Sequence, residues 1–215
     1  MYLRSQPEHL GESVRRISII GEADYEPDVE ERWLVFSREA TTDDGAAAGH
    51  VEIAFSIRQE EETDRWSVQP MIHSPLIVSF PTVLETHLGF LAQGPYRTTP
   101  ARDNVPPSDP WNQHLLGETA SLLVEALRWL RDEGALDIAV LRCLALSPTK
   151  FGEANMFAPL YEATKEALSS EPLLPRYGPG YVPATSALLG RTQELRDLFS
   201  ATQLSALYGQ EDEHA

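Results

Sequence analysis

At 215 residues the chain is long enough for one large domain or two small ones, and its 42% apolar content supplies a buried core. Its 17 basic and 33 acidic residues leave a formal net charge of −16, which argues against coating nucleic acid or an anionic membrane. Screening confines that field to about 8–10 Å, so a local basic site remains compatible with it.

Residues 1–13 carry little pattern, and their polar character lacks the apolar stretch of a secretory leader. Residues 14–20 (Val-Arg-Arg-Ile-Ser-Ile-Ile) read as a short strand. Acidic residues 22–31, with Pro27, read as a loop, and the aromatic and β-branched run 32–37 as a second strand. A loop by composition covers 41–49. Val51, Ile53, Phe55 and Ile57 then alternate with Glu52, Ala54, Ser56 and Arg58, the pattern of a strand with one buried face. An acidic hairpin connection is expected at 59–64. Further strands are expected at 65–68, 76–80 and 87–93, the first two of these separated by Pro70 and Pro75. Five or six strands in the first hundred residues predict a largely antiparallel sheet.

The second half changes character. Asp109 is placed to cap a helix with Pro110 at its first position, where the missing N–H costs nothing. Leu115, Leu116, Thr119, Leu122, Leu123, Ala126, Leu127 and Leu130 recur at helical spacing, which predicts a helix over 110–133 ended by Gly134. Residues 137–146 form a short buried helix or strand that periodicity does not separate. Phe157, Leu160, Tyr161, Thr164 and Leu168 mark another helix, closed by 171–175. A turn at 177–180, a strand over 181–188 and two short helices at 195–199 and 204–208 complete the reading. Strands first and helices later give an α+β order: a mixed, largely antiparallel sheet packed by the long helix (1–146), then a smaller helical part (147–215).

Chemical motifs are few. The six histidines (His9, His50, His73, His87, His114, His214) have no metal-ligand spacing. Neither a nucleophile elbow, a phosphate-binding P-loop nor a dinucleotide fingerprint occurs. The lone Cys143 sits in an apolar run, cannot form an internal disulfide and is expected to be buried. No apolar run approaches the ~20 residues that cross a bilayer, so the chain reads as cytoplasmic, without membrane or nucleic-acid partners.

Residues 93–112 are the exception. The four prolines ahead of the helix, Pro95, Pro100, Pro106 and Pro107, forbid regular structure around Arg97 and Arg102, whose guanidinium forks suit phosphate or carboxylate. Gln93, Thr98, Thr99 and Asn104 add polar groups, and Asp103 is suited to clamp an arginine. The competing reading is a structural loop, with Arg102–Asp103 or Arg97–Asp109 pairs and Trp111 packed in the core. A third is an enzyme using the arginine loop as an anion site.

The run Glu85-Thr86-His87-Leu88-Gly89-Phe90-Leu91-Ala92-Gln93-Gly94-Pro95-Tyr96-Arg97-Thr98-Thr99-Pro100-Ala101-Arg102-Asp103-Asn104-Val105-Pro106, followed by Asp109-Pro110-Trp111-Asn112, resembles a bacterial family. These are large ATP-binding proteins with a sacsin-like, heat-shock-chaperone-like ATPase module of the GHKL class. The resemblance extends over most of the chain from about Trp33. In that family a nucleotide-binding domain precedes a middle, or transducer, domain with a ribosomal-protein-type βαβ layer, from which a basic residue reaches the γ-phosphate. The resemblance therefore implies a middle domain in which Arg97 and Arg102 contact ATP phosphate, with a GHKL nucleotide-binding domain and a protein client or partner. The chain departs from the family in lacking the magnesium-binding Asn helix, the Asp-x-Gly-x-Gly adenine segment and the glycine-rich lid. ATP and magnesium are thus expected only with a separate nucleotide domain, and no enzyme activity is expected of this chain alone.

Overall fold

A computed structural model describes residues 2–21, 29–42, 45–59, 66–101, 104–176, 178–187 and 203. The chain divides into two units, Met1–Ala167 and Leu168–Ala215. The first holds β1 (Tyr2–Arg4), β2 (Glu8–His9), β3 (Val14–Gly21), β4 (Val29–Thr41), β5 (Ala47–Gln59), β6 (Trp66–Gln69), β7 (Pro75–Val78), β8 (Phe80–Glu85) and β9 (Leu91–Gln93). Among the described residues these strands form one sheet in the order β1-β3-β4-β5-β9-β7-β8, with β2 beside β3 and β6 beside β5. All pairings are antiparallel except β7 with β9, so the fold is α+β with a mixed, largely antiparallel sheet.

The 13-residue β5 is the centre of this sheet. Its alternation places Val51, Ile53, Phe55 and Ile57 on one face, all at most 5% exposed. The register sets Phe55 opposite Leu34 and Ile53 opposite Phe36, so the same face continues across β4. One strand edge of β5 is shared end to end: β9 pairs with Glu52–Ala54 and β6 with Ser56–Gln59.

Helix α1 (Pro110–Asp132) covers that face. Asp109 caps it by accepting from the Trp111 and Asn112 N–H groups, Pro110 opens it, and Gly134 turns the chain out at φ +68°. Its inward stripe runs Asn112, Leu115, Leu116, Thr119, Leu122, Leu123, Ala126, Leu127 and Leu130. A buried leucine contributes roughly 1.5–3 kcal/mol, so this stripe is a principal source of stability. Direction is fixed by contacts along its length. His114 Nε2 lies 2.9 Å from Thr41 O, Arg38 bridges Glu118 and Glu125 at 2.8 Å each, and Trp129 meets Phe36 edge-on at 5.5 Å and stacks on Trp66 at 6.5 Å. The helix therefore runs antiparallel to β4.

Two sequence expectations are corrected here. Residues 76–80 are not one strand: the chain reverses at Ser79 (φ 61°), pairing Val78 with Phe80 and Ile77 with Pro81. Residues 87–93 are strand only from Leu91. His87 adopts φ 58°, and Gly89 turns aside to donate its N–H to Cys143 O at 2.9 Å. Residues 137–146 resolve as helix α2 (Ile138–Cys143), capped by Asp137 through the Val140 N–H. Cys143 is buried, which pushes its thiol up to about 12, with the Asp137 charge adding to the effect. Helix α3 (Pro148–Phe151) and helix α4 (Ala158–Ser170) follow.

The β8–β9 corner is held by Glu85. It accepts from the Ser74 N–H (2.5 Å) and Ser74 hydroxyl (3.0 Å), while the Thr86 hydroxyl lies 2.8 Å from Ser74 O. Burial pulls the Glu85 carboxyl upward. The Ser74 bonds, the His87 N–H and the His87 charge outweigh burial and hold the carboxyl below its ordinary value of 4.5. A depressed folded-state value stabilises the fold above the unfolded value, and that contribution is lost as pH falls through the folded one. Glu85→Gln is accordingly expected to lower the urea midpoint at pH 7 and to converge with wild type below pH 4.5. A midpoint difference that does not shrink in acid would contradict this assignment.

In the second unit, β10 (Leu174–Pro175) pairs with β11 (Tyr181–Val182) across a turn in which Gly178 and Gly180 have positive φ. A 3-10 turn follows at Ala184–Ser186, so the strand expected over 181–188 is limited to its first two residues among those described. The helices expected at 195–199 and 204–208 lie outside the described residues, as do 22–28 of the loop expected over 22–31 and 60–64 of the connection expected over 59–64; Val29–Glu31 instead open β4 and Gln59 ends β5.

Candidate functional site: the Arg97 loop

After β9 the chain leaves the sheet and is fastened, residue by residue, to the start of α1. Trp111 Nε1 donates to Pro95 O at 2.9 Å. The Tyr96 hydroxyl lies 3.0 Å from Thr119 Oγ1; the Thr119 hydroxyl donates to Leu115 O at 2.8 Å, so Tyr96 is the donor to Thr119. Burial pushes the Tyr96 phenol up to about 12, against the opposing Thr119 hydrogen bond, so it stays neutral at physiological pH. Gly94 is needed for this approach: a Cβ there would lie 2.8 Å from the Tyr96 ring.

Asn112 is the central clamp. Fully buried, it accepts the Arg97 N–H on Oδ1 (2.7 Å) and donates from Nδ2 to Arg97 O (2.9 Å) and Pro106 O (3.0 Å). A side-chain amide here does what a neighbouring strand does elsewhere, satisfying both backbone groups of one residue. The two ends of the loop are closed by Thr99 and Asn104: the Thr99 N–H donates to Asn104 O (2.9 Å), and the Asn104 N–H to Thr99 Oγ1 (3.2 Å).

The backbone of Arg97 is thus fixed while its side chain is 66% exposed. Its Nη1 lies 3.6 Å from Asp109 Oδ2, beyond hydrogen-bond length. Asp109 has its other oxygen on the Trp111 and Asn112 N–H groups. A pair this open contributes at most about 1 kcal/mol, so the guanidinium is available to a stronger anion.

Of the residues singled out in the sequence, Arg97, Thr99 and Asn104 share this loop, Thr98 lies half-buried within it, and Gln93 sits in β9 paired with Glu52 and Ile77. Arg102 and Asp103 lie outside the described residues. The Arg97–Asp109 pair of the structural reading is present as the open contact above, and Trp111 is half-buried rather than in the core. Asn112, Tyr96 and Trp111 were not foreseen as the holders of the loop. For Asn112 a signal existed, since a lone amide at position 112 falls on the stripe that continues through 115, 116 and 119.

Among the described residues no group of three or more His, Cys, Asp or Glu side chains is placed to hold a metal ion, and no helix is long and apolar enough to cross a membrane. No protein-family model, no curated protein and no solved structure matches this chain.

Proposed function

We propose that the chain is a cytoplasmic middle, or transducer, domain that works with a GHKL-type nucleotide-binding domain and presents Arg97 to the ATP phosphates that domain holds. The observation that carries this reading is the contrast at Arg97: a backbone tied on both sides to a buried amide, and a guanidinium left largely in solvent. A cation positioned in advance stabilises charge on a transferring phosphoryl group without reorganisation at the moment of reaction. The sequence resemblance supplies the nucleotide domain as partner, and ATP with magnesium as the ligands of that domain rather than of this chain. Ile72, Phe80 and Val83, exposed at and before the β7–β8 edge, offer apolar surface to a protein client.

ATP turnover by the nucleotide domain, fused or separate, is expected to fall about a hundredfold on Arg97→Ala, the scale seen when one transition-state donor is removed. The circular dichroism of the domain is expected not to change. Equal turnover in the variant would remove the role.

The alternative is an interaction module whose loop is structural. It is favoured by one observation: Asp109, Trp111 and Asn112 all direct polar atoms at the loop or helix start rather than at solvent. Under that reading Arg97→Ala leaves both turnover and partner binding intact.

A further inference from the structure

Beside the Trp66–Trp129 stack lies an open recess of about 220 Å³, whose lining includes Glu8, Arg16, Ser18, Arg32, Ile57 and Trp66. Strand register brings these residues together. Ser18 stands opposite Arg32 and Arg32 opposite Ile57, in one row on the face that carries α1, with Arg16 two residues along β3 on the same side. Trp66, opposite Gln59, closes the next row. The recess is remote from the Arg97 loop: Trp111 and Trp129 are 18 positions apart on α1, roughly 27 Å at the rise of a helix.

Both arginines are paired with glutamates, one of which, Glu8, also lines the recess. Arg16 grips Glu8 with Nε (2.8 Å) and Nη2 (2.9 Å). Arg32 uses only Nε, on Glu30 at 2.8 Å, and among the described residues its two terminal nitrogens have no acceptor. Glu8 and Glu30 are 55% and 48% exposed, whereas the arginines are 28% and 31% exposed. Pairs with so exposed a carboxylate contribute at most about 1 kcal/mol, so they orient the guanidiniums without closing them to a better-enclosed anion. Ile57, 5% exposed, and the Trp66 ring supply an apolar wall next to these donors.

The geometry points to this recess as a binding site for a small aromatic carboxylate, its charge on Arg32 and Arg16 and its ring against Trp66 and Ile57. Size sets the upper limit, since the volume is below the roughly 300 Å³ at which pockets for drug-sized ligands begin. Charge and ring act together: the arginine fork matches a planar carboxylate, and the guanidinium edge and indole suit a flat apolar group.

The test is a titration of the whole chain with sodium benzoate at constant ionic strength, following the tryptophan indole N–H signals by NMR, with Trp66 assigned from Trp66→Phe. A saturable shift of the Trp66 signal is expected, weakened roughly tenfold or more in Arg32→Gln, the scale of losing a charge-assisted hydrogen bond. Glu30→Gln, which removes the competing negative charge at Arg32 Nε, is expected to strengthen binding while leaving the sheet intact. Acetate, which lacks the ring, and benzyl alcohol, which lacks the charge, are each expected to bind more weakly than benzoate. Absence of a saturable Trp66 shift, unchanged affinity in Arg32→Gln, or benzyl alcohol binding as well as benzoate would each overturn the site.

Discussion

Gly89→Ala is expected to destabilise the protein by about 3–5 kcal/mol, the upper range for a single substitution, because the added methyl meets backbone rather than a yielding side chain. A Cβ at position 89 would lie 2.4 Å from the Cys143 Cα, with the Cys143 Cβ and Sγ at 2.9 and 3.0 Å. The same residue donates its N–H to Cys143 O and accepts from the Met71 N–H, so a shift that relieves the clash breaks bonds on both sides. Gly117 is the matched control. It lies on α1 with no atom within 4 Å of its would-be Cβ, and Gly117→Ala is expected to stabilise by about 0.5–1 kcal/mol through helix propensity. Urea midpoints moving in opposite directions, at equal slope, would confirm both. A Gly89→Ala midpoint within experimental error of wild type would show that the segment ahead of β9 and the end of α2 are not in the contact described.

The second large effect is expected at Asn112. Asn112→Ala removes three hydrogen bonds from loop backbone, leaving the Arg97 N–H, Arg97 O and Pro106 O without the partner that buries them. Unpaired groups cost about 1–3 kcal/mol each where water does not reach, and Arg97 is on the solvent side, so a total near 3 kcal/mol is expected. Asn112→Asp separates shape from chemistry. Its second oxygen would face two carbonyls, which raises its folded-state value above the unfolded one of about 3.9. Its stability is therefore expected to be highest below the unfolded value and to fall as pH rises through the raised one, relative to Asn112→Ala measured alongside. An Asn112→Ala variant as stable as wild type would mean that the loop is not held by this amide.

The periodic parts of this fold were readable from the chain and the aperiodic ones were not. Val51 to Ile57 alternate because one face of β5 is buried, and 115–130 repeat at helical spacing because one stripe of α1 lies on that face. Asp109, Pro110 and Gly134 mark the helix ends through local chemistry that needs no tertiary contact. The reversal at Ser79 and the positive φ of His87 had no glycine or asparagine to announce them, since neighbours impose them: the β7–β8 pairing at the first, the Glu85 carboxylate accepting the His87 N–H at the second. At the candidate site, composition pointed to an arginine loop before a helix, but its rigidity comes from Asn112, Tyr96 and Trp111, whose roles depend on long-range packing. The recess beside Trp66 was invisible in sequence, because its residues come from β2, β3, β4, β5 and β6 and meet only through register.

The stacked Trp66 and Trp129 rings have a consequence of their own. Two indoles 6.5 Å apart and inclined by only 19° have electronic transitions that couple, and one ring belongs to the sheet while the other rides on the helix. The protein carries a built-in optical gauge of whether the two layers are seated together. Such a signal fades when the layers part, even while each keeps its own backbone ladder.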